Sequence, residues 1–248
     1  RGDENQSQML VRYTLKNTGK IEQDFTLALA AQPWQVNPPT QFLSTQGGVS
    51  PVRFMALNLG GDLFADSVGM IDGSLDNLNA VARTLQPADA TLVTRFDEGM
   101  VAERLASGVM PPSDAPATPS AATDGTGLAS GAWLYRMRLQ PGEAREVVIY
   151  APYAQLRSQH GKAHPLETAD NRLPNYQGFD IDAAQQQVAE LWRGKLDSVT
   201  FKVPEQGQEF INTLRTATAH MLISRIGPRL QPGTRSYARS WIRDGAMI

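Results

Sequence analysis

Two stretches near the N-terminus alternate apolar and polar side chains with a period of two, the pattern of strands that bury one face. From Met9 to Leu15 every second residue is apolar, and the alternation returns at Phe25, Leu27 and Leu29. Turn-forming residues lie between them at 17–19. The pattern therefore predicts a β-hairpin with one buried face.

A second, sharper alternation lies later in the chain. Trp133, Tyr135, Met137 and Leu139 fall on one face, a turn is predicted at 140–143, and the chain returns in a strand over 145–150. Shorter apolar runs predict further strands at 52–59, 68–71 and 91–96. We therefore expect residues 1–153 to form a β-sandwich, and we expect the Pro/Ala/Ser/Thr/Gly-rich stretch near 110–131 to be a disordered loop within it.

Helical periodicity dominates the second half. Asp97 is expected to cap a short helix that ends at Gly108, and Asp182 to cap a helix carrying Val188, Leu191 and Trp192. A short strand is predicted at 197–203. The strongest helix, over 205–225, carries an apolar stripe of Phe210, Ile211, Leu214, Thr218, Met221 and Leu222. Residues 154–204 then form a linker with a helix and a short strand.

Composition narrows the functional classes. The 248 residues carry Lys+Arg 23 against Asp+Glu 25, a net charge of −2, so no cationic excess is available to bind nucleic acid. No apolar run approaches the roughly 20 residues of a membrane span. With Cys 0, thiolate metal sites and cysteine nucleophiles are excluded. Neither G-x-G-x-x-G nor a P-loop is present, and we expect no cofactor.

Three sets of residues could in principle bind a metal ion or titrate, but an ordinary structural role is predicted for each. His160 and His164 have a ligand-like spacing, but Gly161 and Pro165 argue against a helix, so no metal site is predicted. His220 is interpreted as a helix-surface residue. Four nearby aspartates lack the register of a calcium loop and are interpreted as turn residues: Asp62, Asp66, Asp72 and Asp76.

The segment 236–246, SYARSWIRDGA, holds the residues that point to a specific chemistry. Tyr237, Arg239 and Trp241 supply flat platforms, and Arg243 and Asp244 form an adjacent charged pair. A sugar ring stacks its C–H face on an aromatic ring, and its hydroxyls form strong hydrogen bonds with charged partners. An isolated Arg-Asp dipeptide is also typical of a helix cap with a structural ion pair.

The neighbours of that pair carry a resemblance. The helix TLRTATAHMLISR at 213–225, the loop QPGTRSY at 231–237 and the following SWIRDGA are similar to the start of the (α/α)6 barrel of glucoamylase-like glycoside hydrolases and phosphorylases. In that family an N-terminal β-sandwich and a helical linker precede the barrel. The resemblance implies a mainly β fold over most of this chain, with residues 205–248 as the start of the barrel.

The same resemblance implies roles for individual residues. Arg243 and Asp244 are expected to bind sugar hydroxyls in the −1 subsite, with Trp241 beside them and with Tyr237 and Arg239 as further substrate-binding candidates. Both catalytic carboxylates come from later barrel loops in that family. The partners implied are an oligo- or polysaccharide and the rest of the barrel, and this chain alone is expected to be inactive.

Several alternatives stay open. The sugar, its linkage, the stereochemical outcome and the choice between hydrolysis and phosphorolysis are not fixed by the sequence. The last residues, 243–248, lie in an element without a stop signal, so we expect a fragment of a longer protein, with a bacterial periplasmic or extracellular location indicated by composition. The rival function is a non-catalytic β-sandwich module that binds carbohydrate or protein.

Overall fold

Antiparallel strands dominate the first two thirds of the chain, and helices follow. The computed structural model describes residues 8–33, 51–66, 80–111, 120–152, 179–225, 228–233 and 240–247. These fall into two compact units, called here the sheet unit, up to residue 152, and the helical unit, from residue 179. The strands are β1 Gln8–Lys16, β2 Gln23–Ala31, β3 Phe54–Leu57, β4 Asp62–Asp66, β5 Ala80–Thr84, β6 Ala90–Thr94, β7 Ser120–Thr123, β8 Ser130–Leu139 and β9 Ala144–Pro152.

The strands form two antiparallel sheets. One sheet has the order β1-β9-β5-β4-β3-β7 and the other β2-β8-β6. Side chains from both sheets form one hydrophobic core, as in a β-sandwich: Leu29, Trp133 and Tyr135 from the smaller sheet, and Met55, Leu57, Leu63, Ala82 and Val147 from the larger. The prediction of a mainly β fold is confirmed.

The predicted hairpin pairings are wrong, although the strands themselves form. β1 pairs with β9 in the larger sheet, and β2 pairs with β8 in the smaller one. Both connections, 17–22 and 140–143, therefore carry the chain from one sheet to the other. A period of two identifies the alternating faces of a strand but not its partner. On the predicted buried face of β1, Met9 and Tyr13 are exposed, while Val11 and Leu15 are half-buried.

Asn17 joins the two connections. Its backbone N–H donates to the carbonyl of Glu143 at 2.9 Å, and its carbonyl accepts from the N–H of Gly142 at 2.8 Å. Its side-chain Nδ2 donates to the carbonyls of Ile21 and Leu139, each at 2.8 Å, while Oδ1 accepts from the N–H of Gly19 at 2.8 Å. Every polar group of this fully buried residue is thus hydrogen-bonded.

The predicted disordered loop is wrong for residues 120–131, while 112–119 lie outside the described residues. β7 adds to the edge of the larger sheet beside β3, and Asp124 and Ala129 are buried. Backbone hydrogen bonds hold such an edge strand, so its small side chains do not prevent it from forming. The hydroxyls of Ser120 and Thr91 also lie 2.9 Å apart.

The helices form close to their predicted positions, but their caps differ. They are α1 Val101–Ala106, after a short 3-10 turn at Phe96–Glu98, α2 Ile181–Leu196, α3 Gln208–Ser224, after a 3-10 turn at Glu205–Gly207, and α4 Ile242–Met247. Asp97 lies within the first 3-10 turn rather than at a cap. Asp180, not Asp182, caps α2 by accepting from the N–H of Ala183 at 2.9 Å. Gly108 ends α1 with φ +80°, as predicted.

In the helical unit, α2 and α3 have no buried residue. On α3 three members of the predicted stripe are exposed, Phe210 at 82%, Leu214 at 43% and Met221 at 37%. The other three, Ile211, Thr218 and Leu222, are half-buried. The predicted strand at 197–203 is wrong, because no described strand pairs with it and its alternating residues are exposed.

The start of an (α/α)6 barrel at 205–248 and the domain limits at 153 and 204 stay predictions. No helix among the described residues is long and apolar enough to span a membrane.

Replacing Asn17 with Asp should destabilise the sheet unit by about 3 kcal/mol, because a buried oxygen then faces two carbonyl oxygens in place of a donor. Urea unfolding measures the change in the free energy of unfolding. Thr18→Ala, at the exposed neighbour in the same turn, is the control and should alter the free energy of unfolding by less than about 0.5 kcal/mol. Equal effects from the two substitutions would contradict the role given to Asn17.

Tyr135 should make the stability of the sheet unit sensitive to alkaline pH. Burial raises its pKa from 10.0 to about 12, and its hydroxyl donates to the carbonyl of Gln86 at 3.3 Å. Because the folded state raises this pKa, the contribution is complete below pH 10 and is lost as pH rises toward about 12. The stability of wild type relative to Tyr135→Phe should fall by about 2–3 kcal/mol over that range. A constant difference between the two proteins would contradict this assignment.

Candidate functional site

The segment before and within α4 holds the residues that the sequence singled out. Trp241 directly precedes α4 and is half-buried, and Arg243 lies exposed in the first turn of that helix. Asp244 is the third residue of the helix by its backbone position. The Ser240 hydroxyl donates to the carbonyl of Leu230 at 2.7 Å and so ties the start of this segment to an earlier loop.

The structure thus gathers three of the five predicted site residues around one helical turn: Trp241, Arg243 and Asp244. Tyr237 and Arg239 lie outside the described residues. The simpler interpretation of Asp244 as a helix cap is wrong, because a cap residue precedes the first helical residue and α4 already begins at Ile242.

A second constellation lies in the sheet unit, where the sequence predicted no site. An open cleft of about 260 Å³ lies between the segment that follows β6 and the turn that links β7 to β8. It is lined by Arg95, Phe96, Asp97, Thr123, Asp124, Gly125 and Thr126. We call it the Phe96 cleft.

Asp124 holds the two sides of the Phe96 cleft together. Its carboxylate accepts from the N–H of Phe96 at 2.7 Å, and from the N–H and hydroxyl of Thr126 at 2.7 and 2.6 Å. The residue is only 4% exposed. Burial pushes the pKa of Asp124 upward, but these hydrogen bonds and the nearby Arg95 charge outweigh it and hold the pKa below its ordinary value.

Arg95 is fixed at the rim by its own neighbours. Its Nε and Nη2 contact Oε1 of Glu98 at 3.2 and 2.9 Å, and Asp97 lies 3.5 Å away. The backbone N–H of Arg95 also donates to Glu98 at 3.2 Å. These contacts raise the pKa of Arg95 and lower that of Glu98. The guanidinium is therefore already paired with protein carboxylates.

Neither constellation resembles a metal centre. No group of three or more His, Asp or Glu side chains suited to a metal ion occurs within the described ranges. His220 is exposed on α3, as expected, and His160 and His164 lie outside the described residues. Asp62 closes a turn by donating its N–H to Oδ1 of Asn58 at 2.8 Å, which agrees with its predicted turn role.

One sequence signal could have indicated the Phe96 cleft. The run Asp-Gly-Thr-Gly at 124–127 favours a turn in which the aspartate accepts from backbone donors two residues on. The Pro/Ala/Ser/Thr composition around it favoured disorder instead. The approach of residues 95–97 depends on tertiary structure and has no local signature.

The sequence was also compared with known proteins. It matches no known protein family, and no curated protein matches it either.

Removing the Asp124 carboxylate should loosen the Phe96 cleft and destabilise the sheet unit. Asp124→Ala deletes three hydrogen bonds to a buried charge, and we expect a loss of about 2–3 kcal/mol at neutral pH. The matched control is Asp97→Ala, which removes a carboxylate from the exposed rim and should cost less than about 0.5 kcal/mol.

The same pair of variants has an expected pH dependence. Because folding lowers the pKa of Asp124, its contribution is complete above the ordinary value of 3.8 and is lost as pH falls through the lower, folded-state pKa. The free energies of unfolding of wild type and Asp124→Ala should therefore converge in acid. A difference between them that persists unchanged in strong acid would contradict this account.

Proposed function

We propose that this chain is the N-terminal, sugar-holding portion of a carbohydrate-active enzyme of the glycoside hydrolase type. The observation that carries the proposal is the segment at 241–244, which sets an indole, a guanidinium and a carboxylate-bearing residue around the start of α4. Arg243 and Asp244 bind hydroxyls of the sugar in the −1 subsite, and Trp241 lies against the ring.

The three residue types suit a neutral sugar because each supplies a different contact. A guanidinium donates along a rigid fork to hydroxyl oxygens, and a carboxylate accepts from hydroxyl protons. Hydrogen bonds with one charged partner are the stronger ones, so an adjacent Arg-Asp pair orients a ring of equatorial hydroxyls. The indole covers the apolar C–H face of that ring.

The apolar faces of the helical unit support the same proposal. Val188 and Leu191 on α2, and Phe210 and Ile223 on α3, are largely exposed. Amphipathic helices of this kind normally pack against other helices, and uncovered apolar faces mark interaction surfaces. In the proposed enzyme the remaining helices of an (α/α)6 barrel cover these faces.

Cleavage of a glycosidic bond needs an acid and, in a hydrolase, a second carboxylate. In this proposal both functions come from sequence beyond residue 248, as in the resembled family. Phosphate replaces the second carboxylate in a phosphorylase of the same architecture. The 248-residue chain therefore binds sugar without turning it over.

Asp244→Ala should weaken the binding of neutral gluco-oligosaccharides to the chain by about tenfold, because the hydroxyl protons lose a charged acceptor. Isothermal titration calorimetry with α- and β-linked glucose trisaccharides measures this change. Asp182→Ala is the matched control, since it also removes a carboxylate from the first turn of a helix and should leave affinity unchanged. In the longer protein, Asp244→Ala should abolish activity and Asp182→Ala should preserve it.

Two results would contradict the proposal. One is equal affinity in wild type and Asp244→Ala while the trisaccharide still binds. The other is unchanged glycosidase and phosphorylase activity in the longer protein that carries Asp244→Ala.

A second candidate function is favoured by the Phe96 cleft. It is the non-catalytic β-sandwich module, in which an exposed aromatic of the sheet unit binds carbohydrate. Phe96 is 51% exposed at a formed cleft, as that function requires.

A further inference from the structure

The Phe96 cleft combines an exposed ring with a rigid frame. The Phe96 side chain is 51% exposed, yet its backbone N–H is held at 2.7 Å by the buried carboxylate of Asp124. Arg53 fixes the opposite rim by donating from Nη1 to the carbonyl of Gly125 at 3.2 Å. A ligand that stacks on Phe96 therefore meets a preorganised surface, which lowers the entropy cost of binding.

Two charged groups of the cleft are already engaged by protein partners. Arg95 already contacts Glu98 and Asp97, so it is poorly placed to receive an anion. Asp124 accepts three hydrogen bonds from protein donors, so its oxygens are not offered to a cation. What remains for a ligand is the aromatic face of Phe96, the exposed carboxylate of Asp97 and the two threonines that line the cleft.

Two threonines share the lining of the cleft with Phe96. Thr123 and Thr126 line the cleft from the β7–β8 turn. Because Thr126 gives its proton to Asp124, its oxygen faces a ligand as an acceptor. The volume of about 260 Å³ is just below the roughly 300–1,000 Å³ of clefts that hold drug-sized ligands, which suits one or two sugar rings.

We infer that the Phe96 cleft is a second binding site, for a neutral saccharide, with Phe96 as the stacking platform and Asp97 and Thr126 as hydrogen-bonding groups. The site lies wholly within the sheet unit. It does not depend on Trp241, Arg243 or Asp244, and it holds a sugar chain without acting on it.

Two substitutions test the cleft without disturbing its frame. Phe96→Ala removes the ring but keeps the backbone N–H that bonds Asp124. Gly125→Gln fills the cleft, since a Cβ at Gly125 would meet nothing within 4 Å and its φ is not positive. The controls are Tyr13→Ala, at another exposed aromatic of the sheet unit, and Gly194→Gln, at an equally open glycine.

The experiment is isothermal titration calorimetry of the 248-residue chain with glucose and N-acetylglucosamine trisaccharides at millimolar concentration. It is carried out in the Asp244→Ala background, which weakens the first proposed site. Phe96→Ala and Gly125→Gln should each weaken binding by about tenfold, and both controls should stay within about twofold of the parent. Thermal unfolding checks that all four variants remain folded.

Two outcomes would overturn the inference. One is the absence of binding of any of these trisaccharides to the Asp244→Ala background. The other is equal affinity in the cleft variants and their controls. If wild type binds and Asp244→Ala does not, the Phe96 cleft is excluded and the proposal for residues 241–244 stands. If Asp244→Ala binds as tightly as wild type and the cleft variants lose binding, the Phe96 cleft stands and the proposal for residues 241–244 is excluded.

Discussion

The sheet unit depends on the hydrogen bonds of one buried asparagine. Asn17 lies where two connections cross between the sheets, and it bonds to both of them through its backbone and its side chain. The β1–β9 and β2–β8 pairs end at this point, with Lys16 opposite Ala144 and Gln23 opposite Leu139. Only an amide side chain offers two donors and an acceptor without charge, which is what the surrounding carbonyls and N–H require. Without it, the carbonyls of Ile21 and Leu139 would lose this hydrogen-bond donor.

At the Phe96 cleft, a buried carboxylate joins two segments through its hydrogen bonds. Asp124 joins the segment after β6 to the β7–β8 turn, and its hydrogen bonds offset the cost of burying a charge. The helical unit is built differently, since its long helices leave their apolar faces exposed. The sheet unit thus has hydrogen-bonded frames at its turns, while the helices of the helical unit carry exposed apolar side chains.

The sequence predicts the local elements of this fold better than their assembly. Alternation located β1, β2, β8 and β9, and helical periodicity located α2 and α3, because both patterns follow from local geometry. Pairing was mispredicted, since alternation shows which side chains share a face of a strand but not which strand lies beside it. β7 was missed because its Ser-Ala-Ala-Thr sequence has little apolar content, and its stability comes from backbone bonds to β3. At the candidate sites, Trp241 to Asp244 are recognisable as a contiguous motif, whereas Phe96 and Asp124 are 28 residues apart and meet only in the folded chain.

The central claim is that this chain holds neutral sugars through preorganised aromatic and charged groups. Amide chemical shifts of the isotope-labelled chain, recorded during titration with a glucose trisaccharide, test it most directly. The account predicts shifts at 95–97 and 123–126, and a second set at 241–244. An absence of shifts at millimolar sugar, or shifts confined to other residues, would contradict it.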